Sequence, residues 1–287
     1  MDLWGRILSK VQADDGSDIS LVELVICALG AVLLLIWQIR SPGLSGLAKS
    51  PVRRNRLGLF FPVLQLIFWL VFVGLAQTLI HKAIPKEQLS ARQYASYLSL
   101  IGVEVFLIAL CLSVAWLAFA RRLKGLGLNL RTIPKDLFWA GVNLLAIYPV
   151  ILTALWATIR AGKMLFGPDF SIQPHQSLDE LADCSDAGLL TVIIFFAVVV
   201  VPFFEELLFR GMLQSALTGY LERPWISIVI VSGLFASMHP PGHMAALFVL
   251  SVCLGYAYER SGSLLRSVFI HMFFNAVSVT ALLCGSG

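Results

Sequence analysis

The sequence predicts an all-α, polytopic membrane protein with about eight transmembrane helices, and three observations predict it. The 287 residues are 58% hydrophobic and only 13% charged, against about 25% charged in ordinary soluble proteins. The charges are bunched, so that long apolar runs alternate with short basic clusters, as in chains that cross a bilayer repeatedly. Most of the runs are also of spanning length, since about 20 helical residues cross ~30 Å of hydrocarbon.

The runs cover roughly 20–39, 58–81, 95–120, 137–159, 188–217, 225–239, 243–258 and 264–284. The first follows mixed residues that include Asp14, Asp15 and Asp18. It is too long for a signal-peptide core and lacks a cleavage pattern, so it reads as a span. Glu23 near its start reaches the interface. The sixth and seventh runs are short, and the fifth is unusually long. Residues 1–187 form an N-terminal set of spans and loops, and 188–287 a C-terminal core.

Basic residues set the orientation. Five lie in 40–57 (Arg40, Lys49, Arg53, Arg54, Arg56) and five in 121–136 (Arg121, Arg122, Lys124, Arg131, Lys135). The 82–94 segment has three and 160–187 has two. The positive-inside rule makes the first two loops cytoplasmic and puts both termini outside. The acidic loop "FGPDFSIQPHQSLDELADCSDA" is expected to form a short amphipathic helix around Ser177–Cys184. Cys27, Cys111, Cys253 and Cys284 fall in apolar runs and Cys184 in a loop, which is no disulfide framework. Cys284 is fourth from the end, but Gly-Ser-Gly follows where a prenylation box needs aliphatics. No basic patch carries interleaved aromatics, so nucleic acid is not an expected partner.

The fifth run holds "PFFEELLFRG", three charges after eighteen uncharged residues from Ala187 to Phe204. A mid-bilayer charge costs roughly 2.5–3.5 kcal/mol, and such groups face a cavity or a partner. Glu206 and Arg210 are i, i+4 and can pair. Glu205 points about 100° away and has no obvious local partner. It is either a solvated interfacial glutamate or a functional one. "FASMH" ends the sixth run with His239, and "HMFFN" puts His271 and Asn275 on one face of the eighth. A lone intramembrane His or Asn usually packs or bonds a neighbouring helix, but here they cluster in sequence with the glutamates. Glu205 and His239 each lie 17 residues from Glu222, the centre of the "GYLERP" turn. In an antiparallel pair they stand at one level.

A carboxylate and an imidazole flanking one water can take its proton. His271 and Asn275 can donate to an oxyanion, each such donor being worth about 2.7–4 kcal/mol. The set suits amide hydrolysis by activated water, since no Ser or Cys sits in a nucleophile motif. A zinc site on Glu205, His239 and His271 is the rival chemistry. His239 and His243 are spaced as in HExxH, but Pro240, Pro241 and Gly242 break the helix between them. Glu104, in the middle of the third run, either lines the same cavity or bonds another helix. Pro202 and Pro149 are candidate kinks.

"EELLFR", "FASMH" and "HMFFN", in this order inside apolar helices, resemble the motifs of the type II CAAX prenyl endopeptidase family, also called the CPBP group (ABI proteins). The resemblance spans about 188–284. It implies an eight-helix, metal-independent intramembrane glutamate protease opening to the cytosol. Carried over, Glu205 and His239 activate water, His271 and Asn275 form the oxyanion hole, and Glu206 and Arg210 organise the site. It implies no cofactor and no metal. The partners are the lipid bilayer and a membrane-associated protein or peptide substrate, prenylated or membrane-embedded. The expected place is a bacterial inner membrane. A non-catalytic bacteriocin-immunity protein, a zinc peptidase and a proton-relaying transporter remain the alternatives.

Overall fold

The computed structural model describes residues 21–40, 46–47, 50–51, 55–172 and 186–285. Eight apolar helices account for the eight runs: α1 (Leu21–Arg40), α2 (Phe60–Ala83), α3 (Leu89–Ala118), α4 (Ile133–Phe166), α5 (Ala187–Leu221), α6 (Pro224–Ser237), α7 (Met244–Ser261) and α8 (Leu264–Gly285). Five segments are long and apolar enough to cross a membrane: α2, α3, α4 with its preceding turn, α5, and α7 with its preceding turn. The apolar stretches of α1, α6 and α8 are shorter. The chain is an all-α polytopic membrane protein, as the sequence predicts. The amphipathic helix expected around Ser177–Cys184 and the side chain of Glu23 lie outside the described residues, as does Cys184.

Helix α4 is the structural spine. It packs against α1, α7 and α8, and its inward stripe Ala140, Leu144, Ile151, Leu155 and Ile159 is buried. Pro149 lies inside this helix, where it has no N–H to give the Leu145 carbonyl. Gly30 of α1 lies against that carbonyl and the proline ring, so close that an added Cβ would overlap both. The proline expected to kink α4 is thus where α1 docks. Helices α2 and α3 pair with each other and pack on α5.

Helix α5 touches three of the four buried apolar clusters. Leu207 and Met212 enter one with α3, α7 and α8. Phe204, Leu208, Phe209 and Leu213 enter another with α2, α3 and α6. Leu189 and Ile193, near its start, join Tyr97 and Val279 in a third. It begins at Asp186, whose carboxylate accepts from Gly188 N–H and Leu189 N–H and from Tyr94 Oη–H. The N–H groups at Leu189 and Gly188, with Tyr94, hold this exposed carboxyl below its usual range. Its capping contribution is therefore present above the ordinary carboxylate pKa and fades as pH falls through the folded value.

The ends of α1, α3, α5 and α7 meet at one pole. Asn55 bridges Phe119, Tyr258 Oη donates to the Leu126 carbonyl, and Leu264 N–H donates to the Gly127 carbonyl. Asp136, 1% exposed, accepts two bonds from Arg266 at 2.9 and 3.0 Å and one from Ser263 at 2.6 Å. A bidentate guanidinium plus a hydroxyl satisfies that buried carboxylate. Gly127 adopts φ +101°, and a Cβ there would come 2.6 Å from the Leu264 nitrogen. Gly127→Ala therefore strains the backbone and the inter-helix contact together. We expect it to cost about 1–3 kcal/mol, read as a lower unfolding temperature in detergent, with Gly141→Ala, where an added Cβ meets nothing, milder.

Candidate active site

The centre of α5 is not regular α-helix. Phe196–Val200 and Leu207–Gln214 are π-helical and flank the α-helical turn Val201–Glu206. Pro202 explains the first wide turn, because a proline clashes with the carbonyl four residues earlier in a regular helix. The π-segment leaves the Ala197 carbonyl to accept from Asn275 Nδ2 at 2.8 Å. Wide turns of this kind occur often at functional sites.

Glu206 is fully buried, and the i, i+4 pair forms as its spacing suggests. Arg210 Nη1 donates to Glu206 Oε1 at 2.6 Å. Arg210 Nη2 donates to Ser251 Oγ at 2.7 Å and to its carbonyl at 3.3 Å. The guanidinium carbon lies 4.8 Å from the centroid of the Phe235 ring. His271 Nδ1 also meets Glu206 Oε1, at 3.0 Å. An ionised carboxylate can only accept, so Nδ1 carries the proton and His271 turns Nε2 the other way. That nitrogen lies 3.8 Å from Glu205 Oε2. Glu205 is 7% exposed, so it is packed among the helices.

His239 follows α6, with Nδ1 2.9 Å from the Phe235 carbonyl. A carbonyl accepts, so Nδ1 is again the protonated nitrogen and Nε2 the basic one in the neutral ring. The His239 ring leans on Phe235 at 4.8 Å between centroids, and His271 meets the same ring edge-on at 5.9 Å. Phe235 is thus the shared wall between both histidines and Arg210. Asn275 is brought beside π-helical α5, with one amide hydrogen used on Ala197. Among the described residues, no group of three His, Cys, Asp or Glu side chains is placed to hold a metal ion. Glu205, His239 and His271 do not close into the donor set of a zinc site.

Ser251 and Phe235 are working parts that reasoning from charge overlooked. Ser251 sits in "VLSVCLG" with nothing to distinguish it. Phe235 is visible only as the first letter of "FASMH".

Trp225 stacks on Tyr256, and Trp37 Nε1 donates to Tyr256 Oη at 2.7 Å, an aromatic group of the kind that marks a membrane interface.

Fold and site together define an integral, multi-pass membrane protein with a buried Glu–His–Arg centre on three consecutive helical segments and α8. Residues 187–277, the part of the chain that carries the site, match the Type II CAAX prenyl endopeptidase Rce1-like family. The chain is also 31% identical over 128 residues to "Uncharacterized 24.3 kDa protein" of Escherichia coli, covering 42% of this chain and 58% of that protein. The chain thus spans 58% of the length of that curated relative. No solved structure matches it.

Removing one member of a buried ion pair strands the other charge, at a cost of about 3–5 kcal/mol. Arg210→Met should lower the unfolding temperature in detergent sharply. Adding Glu206→Gln to Arg210→Met should recover much of the loss, because no isolated charge then remains.

Proposed function

We propose that the chain is an intramembrane endopeptidase that hydrolyses a peptide bond in a membrane-associated protein, prenylated or membrane-embedded. The observation that carries this is the division of labour between the adjacent glutamates. Glu206 is held by Arg210 and His271, whereas Glu205 faces His271 Nε2 at 3.8 Å, beyond direct hydrogen-bond length. Glu206 is a structural anion and Glu205 the reactive one.

Glu205, with His239, takes a proton from water as its oxygen attacks the scissile carbonyl carbon. The C–N bond then breaks, and the leaving nitrogen receives that proton. His271 Nε2 serves the oxyanion once protonated. Glu206 on Nδ1 stabilises that imidazolium, as a carboxylate does in a triad. Asn275 has a second amide hydrogen for the same oxygen. Arg210 holds Glu206 in place. This mechanism uses no metal and no cofactor. A bacterial cytoplasmic membrane is the proposed location.

The test compares membranes carrying wild type, Glu205→Gln, His239→Ala or Asn275→Ala at matched expression, by mass spectrometry of peptide products. A fragment should appear with wild type and survive chelation. Loss of the base should cut its yield about 100-fold to 10,000-fold, and Asn275→Ala about 100-fold. Undiminished fragments from Glu205→Gln would refute the assignment. Full complementation of a deletion by Glu205→Gln, with no dependent fragment, would favour a binding or immunity role.

A further inference from the structure

Beside the candidate site, α2 and α3 bury three polar atoms that have no hydrogen-bond partner: Gln65 Oε1, Trp69 Nε1 and Glu104 Oε2. Gln65 and Glu104 are 1% and 2% exposed. Gln65 and Trp69 are i, i+4 on α2. Gln65 Nε2 donates to the Leu107 carbonyl at 3.0 Å, and Glu104 is one turn before Leu107 on α3. The indole N–H of Trp69 is directed at the Glu104 carboxyl without closing a full hydrogen bond. The Trp69 ring packs on Phe204, the neighbour of Glu205, at 5.6 Å between centroids. Glu104 is close enough to Glu205 for their charges to interact.

Unpaired polar groups inside a bilayer are costly, and leucine in place of Glu104 would avoid that cost. The composition of the cluster indicates its occupant. It offers one donor, the indole N–H, and two acceptors, the Gln65 amide oxygen and the Glu104 carboxyl. Water accepts one bond and donates two, which completes all three, and buried waters typically make about three bonds. A peptide group donates one bond and accepts one, and would leave an acceptor unmet. All three atoms are also sealed from bulk solvent, which suits an occupant of water size.

We propose that Gln65, Trp69 and Glu104 form a water-holding site beside Glu205, and that Glu104 is a positioning residue for the hydrolytic water. The second half rests on the peptidase reading given above; the first does not. Hydrolysis consumes one water per peptide bond. A molecule held on α2 and α3 provides it: its oxygen joins the carbonyl carbon, one proton stays on the new acid, and Glu205 passes the other to the amine.

X-ray hydroxyl-radical footprinting of the full chain in nanodiscs, with mass spectrometry and exchange into H₂¹⁸O, reads bound water directly. Phe204 and Leu107 are the reporters. Wild type and Glu205→Gln should both show oxidation there from slowly exchanging water. Glu104→Leu and Trp69→Phe should lower it several-fold, with Glu104→Gln retaining most of it. Glu104→Leu should still fold, because it removes a buried polar group from an apolar wall, and its unfolding temperature checks this. Equal labelling in wild type and Glu104→Leu would overturn the water site. In the fragment assay, Glu104→Leu should lower kcat more than ten-fold with KM unchanged, and Glu104→Gln should rescue. Loss of labelling with full proteolysis would overturn the positioning role. Since Glu205→Gln lacks proteolysis but keeps the water, failure of this proposal and failure of the peptidase reading are separable.

Discussion

The buried pair Glu206–Arg210 is the constraint on which the rest of this structure depends. Two opposite charges on one helix, both out of water, are tolerable only when their remaining hydrogen-bonding capacity is met nearby. Arg210 meets its need at Ser251 on α7 and against the Phe235 ring on α6. Glu206 meets part of its own at His271 on α8, through Oε1, while Glu206 Oε2 and Arg210 Nε stay without a hydrogen-bond partner. One ion pair thereby ties α5 to three later helices and sets the tautomer of a histidine. The arrangement of α6, α7 and α8 around α5 follows from satisfying it.

The same economy explains the irregular course of α5. A regular helix of this length would pair every internal carbonyl with its own chain. The π-helical turns beside Pro202 release one at Ala197, which Asn275 then takes. A polar side chain on α8 is bound to a defect on α5, so the two helices are registered by a hydrogen bond as well as by packing. In lipid, where apolar contact alone gives little preference between one helix register and another, such bonds supply specificity.

Two kinds of polar cluster occupy this membrane domain, and their hydrogen bonding separates them. At the basic pole, Asp136 is met by Arg266 and Ser263, Gln214 by Glu259, and Ser215 by Tyr258. Those groups are matched within the chain and act as clamps. At the candidate site and the α2–α3 cluster beside it, Glu206 Oε2, Arg210 Nε, Glu104 Oε2, Gln65 Oε1 and Trp69 Nε1 are buried without a hydrogen-bond partner.

The sequence by itself determined the class of fold, the eight apolar segments and the residues worth watching. Apolar run length and charge spacing are local properties, and in lipid they dictate helices because no other open-chain structure satisfies the backbone. The i, i+4 pairing of Glu206 with Arg210 was equally legible, since it is fixed within one helix. The level of His239 relative to Glu205 could be argued by counting from a turn. Other features were not legible: that His271 bridges the two glutamates, that Asn275 bonds Ala197, that Ser251 and Phe235 complete the Arg210 site, and that Glu104 faces Trp69. Each depends on the rotation of one helix against another, and in a chain apolar on nearly every face no periodicity marks the inward side. Only tertiary packing, choosing the rotation that leaves the fewest buried polar groups unmet, decided them.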